Sequence, residues 1–260
     1  MKSKHDIIWL GETDSTNEEA RRRFSDLDNL SVLSAYCQTS GRGQRGNTWE
    51  SETGKNLTFS IIVKFGAELG KSGVSISQIR AVDQFAISEI TALSIVDLLG
   101  LHGISAKIKW PNDIYVEDRK ICGILIENAL SGNMLSHSII GVGLNVNQTS
   151  FDPSLPNPTS MILSGSDASS LPELLEEYMD VFRNYCMRYL NITGGLSRLR
   201  KLYLSQLWRY DEPARFTDIS ADREFTGRIK GVDDIGKLIV EEMEKGELKE
   251  YAFKEIAYVI

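Results

Sequence analysis

The chain has little cysteine: Cys37, Cys122 and Cys186 are spread over 260 residues with no CxxC pair. That spacing excludes a disulfide framework and a thiolate zinc cluster, and it points to a reducing compartment. Histidine is equally scarce, and His5, His102 and His137 share no metal-ligand spacing. Basic residues are outnumbered, 29 Lys and Arg against 36 Asp and Glu, whereas a protein that coats nucleic acid leans the other way. The N-terminal stretch MKSKHDIIWLGETDSTN has only a five-residue apolar run, too short for a leader or an anchor, and no other stretch reads as long and apolar enough to span a membrane. The expectation is a cytoplasmic protein. What is present is ordinary for a globular chain, with 42% hydrophobic and 25% charged residues, and the length suits one large domain or one domain with a small appendage.

Periodicity gives the outline. Residues 6–10 read as a strand, and a helix begins at DSTNEEARRR, where Ser15 and Glu18 fit a capping box. Residues 31–38 and 56–65 are rich in β-formers. The stretch 77–99 carries Ile79, Val82, Ala86, Ile90, Leu93 and Val96 near one helical face, with Gly100 and Gly103 as terminators. Short strands are expected at 105–109 and 114–116, then a turn at 117–120. Strands at 121–129 and 134–147 are joined by the SGN turn, and helices follow at 171–190 and 195–208. The last fifty residues are short β-like runs between polar turns, which suits a small barrel and sets a boundary near residue 210.

Several stretches carry candidate chemistry. GAELGKS at 66–72 imitates a phosphate-binding loop but has three residues, not four, between glycine and glycine-lysine, and no helix signal follows; it is rejected. SGRGQRGNTWES at 40–51 combines glycines that let backbone approach a ligand with arginines that offer forked donors to phosphate. Taken alone it is equally a mobile surface hairpin. In KIKWPNDIYV at 107–116, Pro111 holds Trp110 out of helix and displays Asn112 and Asp113 at a strand junction, with Lys109 close behind; this too is ordinary turn chemistry. EDRKICGILIEN at 117–128 puts Lys120 at a hairpin tip three residues before Gly123, and IIGVGLNVNQ ends a buried strand with two asparagines that need polar partners. Arg21, Arg22 and Arg23 follow Glu18 and Glu19 on a helix and read as a solvated, salt-bridged face.

In series, DSTNE (14–18), GRGQRGNTW (41–49), KWPND (109–113), RKICGILIE (119–127) and GVGLNVN (141–147) resemble the biotin protein ligase family over nearly the whole chain. The resemblance implies an α+β fold: a mixed-sheet catalytic domain flanked by helices over 1–209, and a small SH3-like barrel over 210–260. It implies ATP and Mg²⁺, with biotin as substrate, formation of biotinyl-5′-adenylate, and transfer to a lysine of a biotin carboxyl carrier protein or domain. By motif position Lys120, Arg42 and Arg45 are the implied catalytic cations. Ser15, Thr16, Gln38, Gly41, Arg42, Trp49 and Gly123 are implied to face biotin. Arg45, Lys109, Asn112, Lys120 and Asn145 are implied to face the nucleotide, and Asp113 the metal.

The GRGQRGNTW loop is then expected to order over the adenylate and keep water out. Many members have arginine where this chain has Gln44 and Asn47, which implies looser retention of the adenylate unless Arg45 or Lys120 compensates. Between Gln148 and Ile162 the only aromatic residue to stack on adenine is Phe151. With the first strand beginning by Asp6, the expectation is a monofunctional ligase without a DNA-binding domain, a possible homodimer, and no membrane partner. Two rivals are weighed against it. One is a lipoate- or octanoate-attaching enzyme, which needs less hydrogen bonding than the ureido ring. The other is an RNA-binding module, against which the acidic run EEMEKGE at 241–247 counts.

Overall fold

A computed structural model of the chain describes residues 4–67 and 73–259. The rejected phosphate-loop imitation at 66–72 lies mostly outside the described residues, and so does the side chain of Arg45. The first sheet holds seven strands, β1 (Ile7–Thr13), β2 (Val32–Gln38), β3 (Leu57–Lys64), β4 (Lys107–Lys109), β5 (Asp113–Val116), β6 (Arg119–Ser131) and β7 (Met134–Leu144), in the order β1-β2-β3-β7-β6-β5-β4. β1 and β2 are parallel and the other pairs antiparallel, so the sheet is mixed. The helices are α1 (Thr16–Arg22), α2 (Phe85–Leu101), α3 (Leu171–Tyr185) and α4 (Gly195–Ser205), with one π turn at Cys186–Leu190 extending α3. The closely spaced C-terminal runs pair as a second, antiparallel sheet of β8 (Pro213–Asp218), β9 (Arg223–Val232), β10 (Leu238–Glu242), β11 (Glu247–Tyr251) and β12 (Ile256–Tyr258). Its order is β11-β10-β9-β8-β12, which leaves β11 and β12 at the edges. The fold is therefore α+β.

Successive side chains of a strand point to opposite faces, and this divides the first sheet chemically. Leu57, Phe59, Ile61 and Val63 of β3, with Ile140, Val142 and Leu144 of β7, enter the main core beside α2 and α3. Ile62 and Ile139 turn the other way and join Ala20 of α1 in a second, smaller cluster. Gly123, Gly141 and Gly143 fall on that same second face. There, small residues leave room that large ones fill elsewhere.

Four sequence expectations need correction. The helix read over 77–99 starts later, because Ile79 and Ala81 pair with the β6–β7 hairpin tip through Leu135 N to Ile79 O and Ala81 N to Asn133 O, both 2.8 Å. That pairing holds 79–81 out of the helix. Nor is α2 amphipathic: apart from Ser88, Asp97, Gly100 and Leu101 its residues are buried, because sheet and helices cover it on most sides. For the same reason residues 81–101 are, by length and composition, apolar enough to cross a membrane, contrary to the sequence reading; 72% of the span's most apolar window is buried inside the protein. The C-terminus of α2 is closed by Ile104 N to Leu99 O and Gly103 N to Gly100 O, with Gly103 at φ +75°. Finally, Ser15 stands at the N-cap of α1 in extended backbone but makes no side-chain cap bond, and Glu18 bonds Arg21 and Arg42 instead. The expected capping box does not form.

Candidate active site

The second face of the first sheet, the loop after β2 and the end of the C-terminal sheet enclose a cavity of about 310 Å³. Its closed end is polar. The Gln38 Oε1 accepts from Thr16 N at 2.8 Å. The Ser60 hydroxyl lies 2.6 Å from Asn17 Oδ1 and 2.8 Å from Thr16 Oγ1. Asn17 Nδ2 in turn donates to Glu127 Oε2 at 2.9 Å. Each partner fixes the rotamer of the next, so the donors and acceptors are set before a ligand arrives. A Cβ at Gly141 would stand 2.4 Å from Asn17 Oδ1; the network requires glycine there.

Residues 41–49 fold back on themselves. Trp49 N donates to Gly41 O at 3.0 Å, Gly43 N donates to Asn47 O at 2.7 Å, and Arg42 and Thr48 form an antiparallel bridge. This turn lowers the Trp49 indole onto the strand-paired glycines Gly123 and Gly143. A Cβ at Gly143 would be 2.3 Å from Trp49 Cε2, and one at Gly123 would be 3.0 Å from Trp49 Cζ3. The indole therefore supplies an apolar wall in direct contact with the floor, and its Nε1 is buried without a hydrogen-bond partner.

Among the described residues three cations line the cavity: Lys120 beside the tryptophan, Lys109 on β4, and Arg42 next to Glu127 of the polar end. Lys120 is held at the start of β6 by its backbone, with its N donating to Asn157 O at 2.8 Å and its carbonyl accepting from Thr159 N at 2.9 Å. Its Nζ is 2.7 Å from Asp113 Oδ1 and 5.8 Å from the Trp49 ring centroid. Arg42 is paired with Glu18 and, at 3.5 Å, with Glu127. Lys109 Nζ donates to the Tyr115 hydroxyl at 3.0 Å. The KWPND turn is tied to β6 by Asn112 Nδ2 to Ile124 O at 2.8 Å. Beneath this end Cys122 is buried, and burial pushes its thiol far above the ordinary range, which leaves it a packing residue and no nucleophile. Arg21 and Arg22 are spent on Glu18, Glu127, Asp14 and Glu19.

Of the residues singled out from sequence, Ser15, Thr16, Gln38, Arg42, Trp49, Lys109, Asn112, Asp113, Lys120 and Gly123 line one cavity. Gly41 stands behind it, where a Cβ would be 2.2 Å from Trp49 O. Asn145 is buried outside the lining; its Nδ2 donates to Thr159 O at 2.9 Å and its Oδ1 has no partner. The sequence reading did not single out Asn17, Ser60, Gly141 or Gly143, although a serine inside the apolar run FSIIV and two glycines at spacing two were signals. Nor did it find Phe253, Ile256, Ala257 and Tyr258, which close the cavity from the C-terminal sheet and carry no local signature. Among the described residues no three His, Cys, Asp or Glu side chains gather to hold a metal ion.

The mixed sheet thus presents a glycine-rich floor, a polar end, an indole wall and three cations around one cavity, features that can receive a small ligand with an anionic end. The family model described as the biotin/lipoate A/B protein ligase family matches residues 10–145, and the chain belongs to that family. It is 29% identical over 238 residues to the biotin–[acetyl-CoA-carboxylase] ligase of Paracoccus denitrificans, covering 89% of this chain and 92% of that protein. It is 26% identical over 249 residues to the bifunctional ligase/repressor BirA of Escherichia coli strain K12, covering 91% of this chain and 69% of that protein. The solved structure of the Aquifex aeolicus biotin protein ligase in complex with biotin and ATP shares the fold at a TM-score of 0.73 and 24% identity, over 97% of both chains.

Proposed function

We propose that the chain is an ATP-dependent biotin protein ligase. It joins the biotin carboxylate to the α-phosphate of ATP, releasing pyrophosphate, and then passes the biotinyl group from the adenylate to a lysine amine of a biotin carboxyl carrier protein or domain, releasing AMP. The observation that carries this reading is the cavity's polarity gradient. A fixed polar end at Thr16, Asn17 and Gln38 meets a ureido ring, which both donates and accepts. The Trp49 indole covers the apolar ring and chain. Lys120 and Lys109 are assigned to the end where carboxylate and phosphate must meet, while Arg42 is held by Glu18 and Glu127 beside the polar end until ligand draws it over.

The chemistry requires two anions to approach, and the cations lower that cost. Lys120 is assigned to the α-phosphate, where negative charge builds as the pyrophosphate bond breaks. Asp113 orients Lys120, and it is the only carboxylate among the described lining residues. Mg²⁺ fits here only as a companion of the nucleotide, with Asp113 its one protein carboxylate and phosphate oxygens and water the remaining ligands; it would supply neutralisation of the phosphate charge. Arg42 and Arg45 of the folded-back loop are assigned to the biotin carboxylate and phosphate side, and Gly41 lets that loop close. Asn145 is assigned a supporting role on the nucleotide side, through the 159–161 backbone it holds.

The division into a ligase domain at 1–209 and a C-terminal domain at 210–260 with an SH3-like barrel arrangement belongs to the same proposal. Isothermal titration in the presence of ATP tests the substrate. Biotin is expected to bind more tightly than lipoate, and the reverse order would replace this reading by a lipoate-attaching one.

A further inference from the structure

The cations of the cavity are held in two different ways. Lys120 and Arg42 face carboxylates, whereas Lys109 has no carboxylate partner among the described residues. Its Nζ sits 4.6 Å from the ring centroid of Tyr115, 5.2 Å from that of Tyr258 and 5.9 Å from that of Trp208. It also donates to the Tyr115 hydroxyl at 3.0 Å. The rings support one another, with centroids 5.4 Å apart both for Tyr115 with Trp208 and for Trp208 with Tyr258. Trp208 is anchored by Nε1 to Glu117 O at 2.9 Å. The three aromatics come from three places: β5, the segment after α4, and β12 of the C-terminal sheet.

We infer that Tyr115, Trp208 and Tyr258 are positioning residues that box the Lys109 ammonium and aim it at the phosphates, so that the second sheet completes the anion-binding side of the site. The inference rests on the ligase reading and deepens it. A carboxylate partner would fix a lysine but would also cancel its charge and compete with the incoming phosphate. Aromatic faces attract a cation through their quadrupole and bring no countercharge. They also remove rotamer freedom from a long side chain before the ligand arrives, so less is lost on binding.

The test is isothermal titration of the full chain with ATP alone and with biotin alone, using Tyr258→Leu, Tyr258→Phe, Tyr115→Phe and each change in a Lys109→Met background. Tyr258→Leu should weaken ATP binding roughly fivefold to tenfold and leave biotin binding unchanged. Tyr258→Phe should match the unaltered chain, because the Tyr258 hydroxyl makes no hydrogen bond. Tyr115→Phe, which deletes only the bond to Lys109 Nζ and a longer one from Asn157 Nδ2 at 3.4 Å, should weaken ATP binding by roughly twofold to fivefold. In the Lys109→Met background these effects should vanish. Equal losses for ATP and biotin, or undiminished losses without Lys109, would overturn the box. Should Tyr258→Leu fail to fold, unchanged ATP affinity in Tyr115→Phe would overturn it instead. An unaltered chain that binds no ATP at all would remove the ligase reading, and the box with it.

Discussion

Gly143→Ala is the smallest perturbation with the largest expected consequence. Position 143 lies mid-sheet, paired with Gly123 on β6 and Thr58 on β3, so its backbone cannot withdraw. The added methyl would stand 2.3 Å from Trp49 Cε2 and 2.6 Å from both Cζ2 and Nε1. Carbon contacts are comfortable only at about 3.5–4.0 Å, so the indole must rise by roughly 1 Å or more. Overpacking of this kind costs about 1–3 kcal/mol. Trp49 lines the cavity, so a ring lifted off the glycine floor takes up cavity space, and on the proposed reading that space belongs to biotin. Biotin affinity should therefore fall by about tenfold or more, each tenfold being about 1.4 kcal/mol.

Titration calorimetry with biotin, beside a thermal melt, measures both costs. Gly231→Ala is the control, since a Cβ there meets nothing nearer than Ile239 Cδ1 at 3.7 Å. In a Trp49→Ala background the penalty of Gly143→Ala should largely disappear. Biotin affinity within twofold of the unaltered chain, or the same penalty with and without Trp49, would refute the reasoning.

Other outcomes follow from the same geometry. Lys120→Ala should lower biotin-dependent pyrophosphate release by on the order of 100-fold with little change in melting temperature, because the side chain is one-third exposed; undiminished release removes Lys120 from the mechanism. Gly41→Val should lose biotin affinity through the collision with Trp49 O, and normal affinity would count against the folded-back loop as part of the site. Glu89, buried in α2 and paired with Arg200, is raised by burial to about 7 despite that arginine. A carboxyl raised in the folded state contributes stability that is full below its unfolded value near 4.5 and is lost as pH rises through about 7. Urea midpoints should therefore decline between pH 5 and 8, and Glu89→Gln should flatten that slope; an unchanged slope would show that other groups set it.

Much of the fold was legible because strand and helix periodicities are local properties. β3, with Leu57, Phe59, Ile61 and Val63 alternating, announced itself, and so did the β6–β7 hairpin around Gly132. The start of α2 was not legible. Residues 79–81 have helical spacing, and only the distant partners Asn133 and Leu135 pull them into an extended path. The capping box failed for a similar reason: Glu18 has a nearer call from Arg42, a residue 24 positions away in sequence. In the site, the cations and the glycine-rich loop could be read from composition and order. The parts that depend on register could not. Gly141 and Gly143 matter because β7 places them under Asn17 and Trp49, and Tyr258 matters because β12 carries it back to Lys109. Neither relation exists within any short stretch of sequence.

On the proposed reading this cavity activates biotin with ATP for transfer to a protein lysine. The most direct test is pyrophosphate release from ATP and Mg²⁺ with biotin, lipoate or no acid, followed by mass spectrometry of an added biotin carboxyl carrier domain. The expected result is release that depends on biotin, together with a single biotinyl adduct on one lysine of the carrier. Release with lipoate and not biotin, or no release with either acid, would contradict the account.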